Sequence, residues 1–457
     1  MTQGNGAASS QKGLSRDDMK SLADQVLSFA RADQTRVTIN SGVSDFTRTA
    51  MNRVTTSGSA TDVTVRVTSV FGRRVASIET NRLDAAALEK AVHDAEALAR
   101  LSPEDPEYLP EPSGQTYSDV SGYYKSTADL TTEDRGRAAS LVLERSKAAG
   151  TTAAGYIDVF AGSRAVANSN GLFAYHASTA VASTLTIRTP DGGSSGWAGD
   201  EGADWSTIES ERIATDALAK CEAWRGKTAL EPGTYEAVLE PTAVGMLMLR
   251  MMGAFDARSA EEGRSYFSKR GGGTLLGEPL FDERVTIRSD PAFTNAETAP
   301  FTQVGEAVGA QTWVEKGVLR NLAYSRFWAN KQKVPVRPAM SNFVMSGGDA
   351  SLADLIASVK RGVLISRFWY IRALNPRMLS QTGITRDGTF HIENGKISRP
   401  VTNFRFNQSL ADLLKSVEML GPPTRVCAGE SSSEGTPVIV PAVKVRAFNL
   451  ASISDAI

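Results

Sequence analysis

The sequence predicts an α+β protein. Helix-flanked antiparallel sheets form its N-terminal part. A strand-rich C-terminal part follows, a curved or barrel-like sheet around a buried helix. Three observations carry this. A helix–meander–helix pattern appears twice, over 15–101 and 131–224. Valines alternate with polar residues in runs such as Val63, Val65 and Val67, the signature of a half-buried strand. Residues 244–255 are almost wholly apolar, with Arg250 the only charge, so a helix there is buried on most of its surface.

In chain order, residues 1–14 are polar and glycine-rich and read as a flexible tail, not a signal peptide. Ser15 caps a helix to about 32, with Met19, Leu22, Val26 and Phe29 on one face. Strands follow at Val37 and Ile39, from Phe46 to Val54, over 63–67 and over 73–78. A second helix spans 85–101; its His93 lies beside Glu89 and Glu96, which reads as a solvated face rather than a metal site. Residues 102–129 form a proline- and tyrosine-rich linker, too long for a simple turn. Thr131 opens a helix to about 149. Strands are expected at 155–160, 164–167, 172–176 and 181–188, with Asn170-Gly171 as a hairpin turn and His176 in a pairing or core role. A helix over 206–224 places Cys221 on its apolar face as a small core residue.

The C-terminal part opens with a strand at 235–239, and Glu240-Pro241-Thr242 starts the apolar helix, since proline suits the first turn. Lys269-Arg270-Gly271-Gly272-Gly273 lacks the spacing of a phosphate loop and reads as a turn. A strand at 284–288, a hairpin around Glu315-Lys316-Gly317 and a strand at 342–345 follow. A helix from Ser351 ends at Lys360-Arg361-Gly362. The chain closes with a strand at 363–373, a hairpin at Glu393-Asn394-Gly395, a strand at Phe404 and Phe406, a helix over 409–420 and a strand at 438–448. His391 falls on the opposite sheet face from Phe390 and Ile392, and Cys427 in a loop or strand end. The expected organisation is a tail (1–14), an N-terminal α/β domain (15–225) and a C-terminal domain (230–457).

Composition excludes several classes. The 457 residues carry 50 basic and 51 acidic side chains, so nucleic acid and anionic membranes are not expected partners. Two cysteines make no disulfide framework, and no stretch reaches transmembrane length; a cytoplasmic protein is expected. With three histidines and no HExxH or HExxxH, a histidine-based zinc site or triad has little to draw on.

Together these segments resemble the TldD/PmbA family, described as modulators of DNA gyrase. The matching landmarks are Arg82-Leu83-Asp84, Val166 to Gly171, Pro232-Gly233-Thr234-Tyr235, Gly263-Arg264-Ser265, Gly348-Asp349-Ala350-Ser351, Lys360 to Val363, Asn375-Pro376 and Ile392 to Gly395. Each is weak alone; their order over about 20–450 carries the resemblance. It implies a metallopeptidase-like fold for 230–457. In the TldD branch, HExxxH on the helix after the opening strand binds zinc through two histidines, with the glutamate as general base. A cysteine near the C-terminus completes that site. Here the motif falls on Leu249-Arg250-Met251-Met252-Gly253-Ala254, and only Gly253 matches. Leu249 and Ala254 stand at the ligand positions, Arg250 at the base position, and Cys427 near the ligand cysteine as a vestigial position or an unrelated thiol.

The resemblance therefore implies the PmbA/TldE branch: no catalytic residue, metal or cofactor of its own, and a TldD-like HExxxH partner that holds the zinc. The pair would form a dimer or higher oligomer and cleave unfolded peptides or modified peptide precursors. Two alternatives remain open: a self-sufficient peptidase built on His176, His391 and Cys427, and a peptide-binding homodimer without catalysis.

Overall fold

The computed structural model describes residues 12–429 and 435–455, so the tail expected over 1–14 lies outside it for residues 1–11. The N-terminal half contains α1 (Arg16–Ser28), β1 (Gln34–Ala50), β2 (Arg53–Phe71), β3 (Arg74–Thr80) and α2 (Ala85–Leu101). The pattern then repeats with α3 (Lys125–Ala128), α4 (Thr132–Ala148), β4 (Thr152–Asn168), β5 (Phe173–Arg188), β6 (Ser195–Gly202) and α5 (Ser210–Ala223). Capping boxes open α1, with Ser15 and Asp18, and α4, with Thr131 and Asp134.

The two meanders are not separate sheets. They join through an antiparallel β1–β4 pair into one six-stranded sheet ordered β3-β2-β1-β4-β5-β6. The breaks expected after Phe160 and His176 are absent: β4 and β5 run unbroken and pair from Thr152↔Arg188 to Ala167↔Phe173. Glycine and serine at 162–163 suggest a turn locally. Here a strand on each side of β4 satisfies their backbone, so the ladder overrides local preference.

The C-terminal half contains β7 (Gly233–Leu239), α6 (Pro241–Met251), α7 (Ala257–Glu261), β8 (Ile287–Ser289), β9 (Gln311–Glu315), β10 (Val318–Leu319), α8 (Arg326–Gln332), β11 (Phe343–Met345) and α9 (Leu352–Ala357). It ends with β12 (Arg361–Asn375), β13 (Ser380–Glu393), β14 (Lys396–Pro400), β15 (Asn403–Ser409), α10 (Leu410–Lys415), β16 (Val417–Arg425) and β17 (Val438–Ser454). Strands β7, β12, β13, β15 and β17 pair in a closed ring, because β17 bonds both β15 and β7. Ala237 and Leu239 of β7 join the main core with α6, while Val238 faces a second core with Trp224, Leu364, Phe390 and Ile392. Both faces of the ring are therefore covered, as apolar strands require.

Several expected boundaries move. The strand expected at 284–288 begins only at Ile287. Helix α9 stops at Ala357, and Arg361 opens β12 instead of ending a helix. The helix expected to 420 ends at Lys415, since Val417 to Arg425 pair with β17. Helix α5 starts at Ser210, after a 3-10 turn at Trp205–Thr207. The hairpin at Asn394-Gly395 stands as read, with both residues at positive φ. No helix among the described residues is long and apolar enough to cross a membrane.

Candidate functional site

The site is built outward from α6. β7 delivers the chain to Glu240, whose amide donates to Ile365 O of β12 at 3.0 Å. Pro241 fills the first turn, where no N–H is needed. The Glu240 carboxylate accepts from Lys220 Nζ at 2.5 Å and from Ser366 Oγ at 2.7 Å, which ties α6 to α5 and β12. A negative charge at a helix N-terminus is also favourable. Ala243, Val244, Met246, Leu247, Met248 and Met251 then enter the main core.

The α-helix ends at Met251 and tightens into a 3-10 turn over Met252–Phe255. Leu249 and Ala254 are half-buried and pack against the core. Arg250 is half-buried too, at the less buried edge of the helix, as its charge requires. Ser265 Oγ donates to Ala254 O at 2.9 Å and fixes the turn. Aliphatic side chains at 249 and 254 and a cation at 250 offer zinc no lone pair. Among the described residues, no three His, Cys, Asp or Glu side chains gather as a group that could hold a metal ion.

Cys427 is buried, and it faces away from α6. Its neighbours Val426 and Ala428 belong to the α6 core, whereas Cys427 packs with Ala182 and Trp197 of the N-terminal sheet. The flanking side chains enter the α6 core and the thiol another cluster, which separates the thiol from positions 249 and 254. Burial pushes the thiol well above its ordinary pKa, and the nearby Glu201 and Asp200 charges add to this. A neutral thiol neither attacks nor ligates well.

The histidines lie apart. His391 is buried on β13, 3.2 Å from Ser398 Oγ at Nδ1, and burial lowers its pKa. His176 sits on β5, where burial lowers its pKa to about 4. His93 is half-buried on α2. Its neighbour Glu96 is no part of a solvated face: it is buried and accepts from the amides of Arg31 and Ala32. Cys221 is a core residue beside Ile213, Ala214 and Ala217.

Sequence reading missed what the Asn168–Asn170 hairpin holds. Asn168 Nδ2 donates to Pro112 O and Asn170 Nδ2 to Glu111 O, both at 2.7 Å, while the Glu111 carboxylate binds Arg36. The hairpin thus clamps the linker. Only the two amide side chains beside a long polar segment could have hinted at it.

Residues 232–452 match the family model of the PmbA/TldA metallopeptidase C-terminal domain. Over this stretch the chain belongs to the PmbA/TldD family. A metalloprotease of Methanothermobacter thermautotrophicus is 27% identical over 235 residues, 47% of this chain and 49% of that protein. The chain thus spans about half the length of that curated relative. TldE from Thermococcus kodakarensis superposes with a TM-score of 0.83 at 16% identity, over 95% of this chain and 100% of that one. A Thermotoga maritima protein described as a modulator of a DNA gyrase gives 0.81 at 17%, over 94% and 99%. A similarly described protein from Bacteroides thetaiotaomicron gives 0.79 at 20%, over 96% and 99%. These structures share the TldD/PmbA fold nearly end to end.

Proposed function

We propose that this chain is a non-catalytic, TldE/PmbA-like subunit of a heteromeric zinc metallopeptidase acting on unfolded peptides or modified peptide precursors, with the zinc held by a TldD-like HExxxH partner. One observation carries the reading: the helix that bears the metal motif in the TldD branch is kept as a core element, with Leu249, Arg250 and Ala254 at the motif positions. Arg250 is the least compatible of the three. Like charges 4 Å apart repel by about 4 kcal/mol per unit-charge pair near a protein surface, and zinc carries two. The buried, neutral Cys427 supplies no compensating ligand.

A self-sufficient peptidase finds less support, because His176, His391 and Cys427 occupy three separate surroundings. The test is purification alone and with an HExxxH chain. The lone chain should carry no stoichiometric zinc and cleave no unfolded peptide; the pair should copurify and cleave. Zinc-dependent cleavage by the lone chain would falsify the proposal.

A further inference from the structure

Helices α1, α2, α4 and α5 all pack on one face of the six-stranded sheet. The C-terminal half reaches the other face at Ala174, through Phe301, and at Ala182, through Cys427. Asp158 of β4 lies on that second face, opposite Phe46 of β1 and Ala182 of β5. Tyr156 and Phe160 flank it on the same strand and the same face. Phe160 is 37% exposed, and the diagonal neighbours Ser44, Arg48 and Ala180 are exposed as well, so the surface around the carboxylate is open.

Asp158 itself is half-buried and makes no ion pair among the described residues. Burial raises its pKa, and only the Val159 amide opposes that. Arg48, the one cation among its neighbours, is exposed and pairs with no carboxylate among the described residues. A half-buried carboxylate without a counter-charge is costly. The rings beside it lie low on the sheet. A Cβ at Gly58 would stand 2.8 Å from the Phe46 ring, and one at Gly42 or Gly162 would stand 2.7 Å from the Phe160 ring. Glycine permits that close approach, and it leaves a ring surface on either side of the carboxylate. Phe46 also stacks on Tyr156, with centroids 5.9 Å apart and planes 18° from parallel.

A cross-strand Cβ lies about 5 Å away, and the next residue on the same face of a strand about 6.6 Å. A cation bonded to Asp158 therefore meets aromatic surface on both sides, and its stem has an apolar surface to lie on. A guanidinium fits better than an ammonium, because its fork matches a carboxylate, it is more weakly hydrated and it stacks on rings.

We propose that this patch binds an arginine side chain of a polypeptide, with Asp158 as counter-charge and Phe46 and Phe160 as the flanking surfaces. The site involves neither α6 nor Cys427 and does not depend on the subunit role proposed above.

The experiment titrates the full chain at low ionic strength and pH 7.5 with the capped peptide Ala-Ala-Arg-Ala-Ala, with its citrulline counterpart and with its lysine counterpart. Calorimetry and thermal melts are the readouts. The arginine peptide should bind at millimolar or better affinity and raise Tm. Citrulline, which keeps the shape and loses the charge, should bind at least tenfold more weakly, and lysine several-fold more weakly. Asp158→Asn should weaken binding of the arginine peptide at least tenfold while leaving the ligand-free Tm unchanged or higher, because it removes an uncompensated charge. Phe160→Leu should weaken it several-fold, and Arg48→Gln should not weaken it. Should Asp158→Asn not fold, Phe160→Leu and the citrulline peptide decide. No binding by the wild type, equal binding of arginine and citrulline, tighter binding of lysine, full affinity in Asp158→Asn or Phe160→Leu, or weaker binding in Arg48→Gln overturns the proposal.

Discussion

Gly245 of α6 meets Val426 so closely that a Cβ at position 245 would stand 2.5 Å from the valine Cγ2. The contact sets the distance between the helix and the segment bearing Cys427. Gly245→Ala gains helix propensity but overpacks this contact, so a net loss of about 1–3 kcal/mol is expected. Val426→Ala should relieve it. Chemical denaturation of the two single variants and the double variant should show a coupling of about 1 kcal/mol or more; additive losses would mean that the contact does not set the spacing.

Glu240 joins three elements through Lys220, Ser366 and the start of α6. Glu240→Ala strands a half-buried ammonium and a hydroxyl. The expected cost is about 2–4 kcal/mol, read as a lower denaturation midpoint with unchanged slope.

The His176 imidazole takes its proton near pH 4 in the folded chain, against 6.5 when solvated. Between these values the unfolded state binds the extra proton, so stability is full above about pH 6.5 and falls as pH drops toward 4. The loss should approach about 3 kcal/mol. Melts of the wild type and of His176→Gln between pH 4 and 7.5 check this: the difference in stability between the two should shift by that amount across the window and stay flat above it.

Asn168 and Asn170 hold the linker by its carbonyls at Pro112 and Glu111. Asn168→Ala leaves the buried Pro112 carbonyl and the amides of Asn170 and Leu172 short of a partner, at a cost of about 2–3 kcal/mol. Limited proteolysis should cut within 103–124 faster in this variant than in the wild type.

Restoring the motif by Leu249→His, Arg250→Glu and Ala254→His tests whether the helix alone can recover a metal centre. Two imidazoles without a third protein ligand bind zinc weakly, and Cys427 faces the other side of its segment. The triple variant should retain less than one zinc per chain after dialysis and show no peptidase activity. Stoichiometric zinc would mean that another side chain closes the site.

Much of this was legible along the chain. The capping boxes at Ser15 and Thr131, the period of α2, the Asn394-Gly395 turn and the apolar run of α6 are local signals, fixed by residues within a few positions of each other. The absence of ligand chemistry at Leu249, Arg250 and Ala254 was equally plain, because side-chain identity needs no fold. Tertiary structure alone decided the rest. It ran β4 and β5 straight through residues that locally favour turns, since ladders on both sides satisfy their backbone. It fused two meanders through β1 and β4 and closed the ring through β7 and β17, pairings between residues more than a hundred positions apart. It also turned Cys427 away from α6 and set His176 opposite Arg164, since strand register and the alternation of side chains determine which residues meet, and neither is written in any one segment.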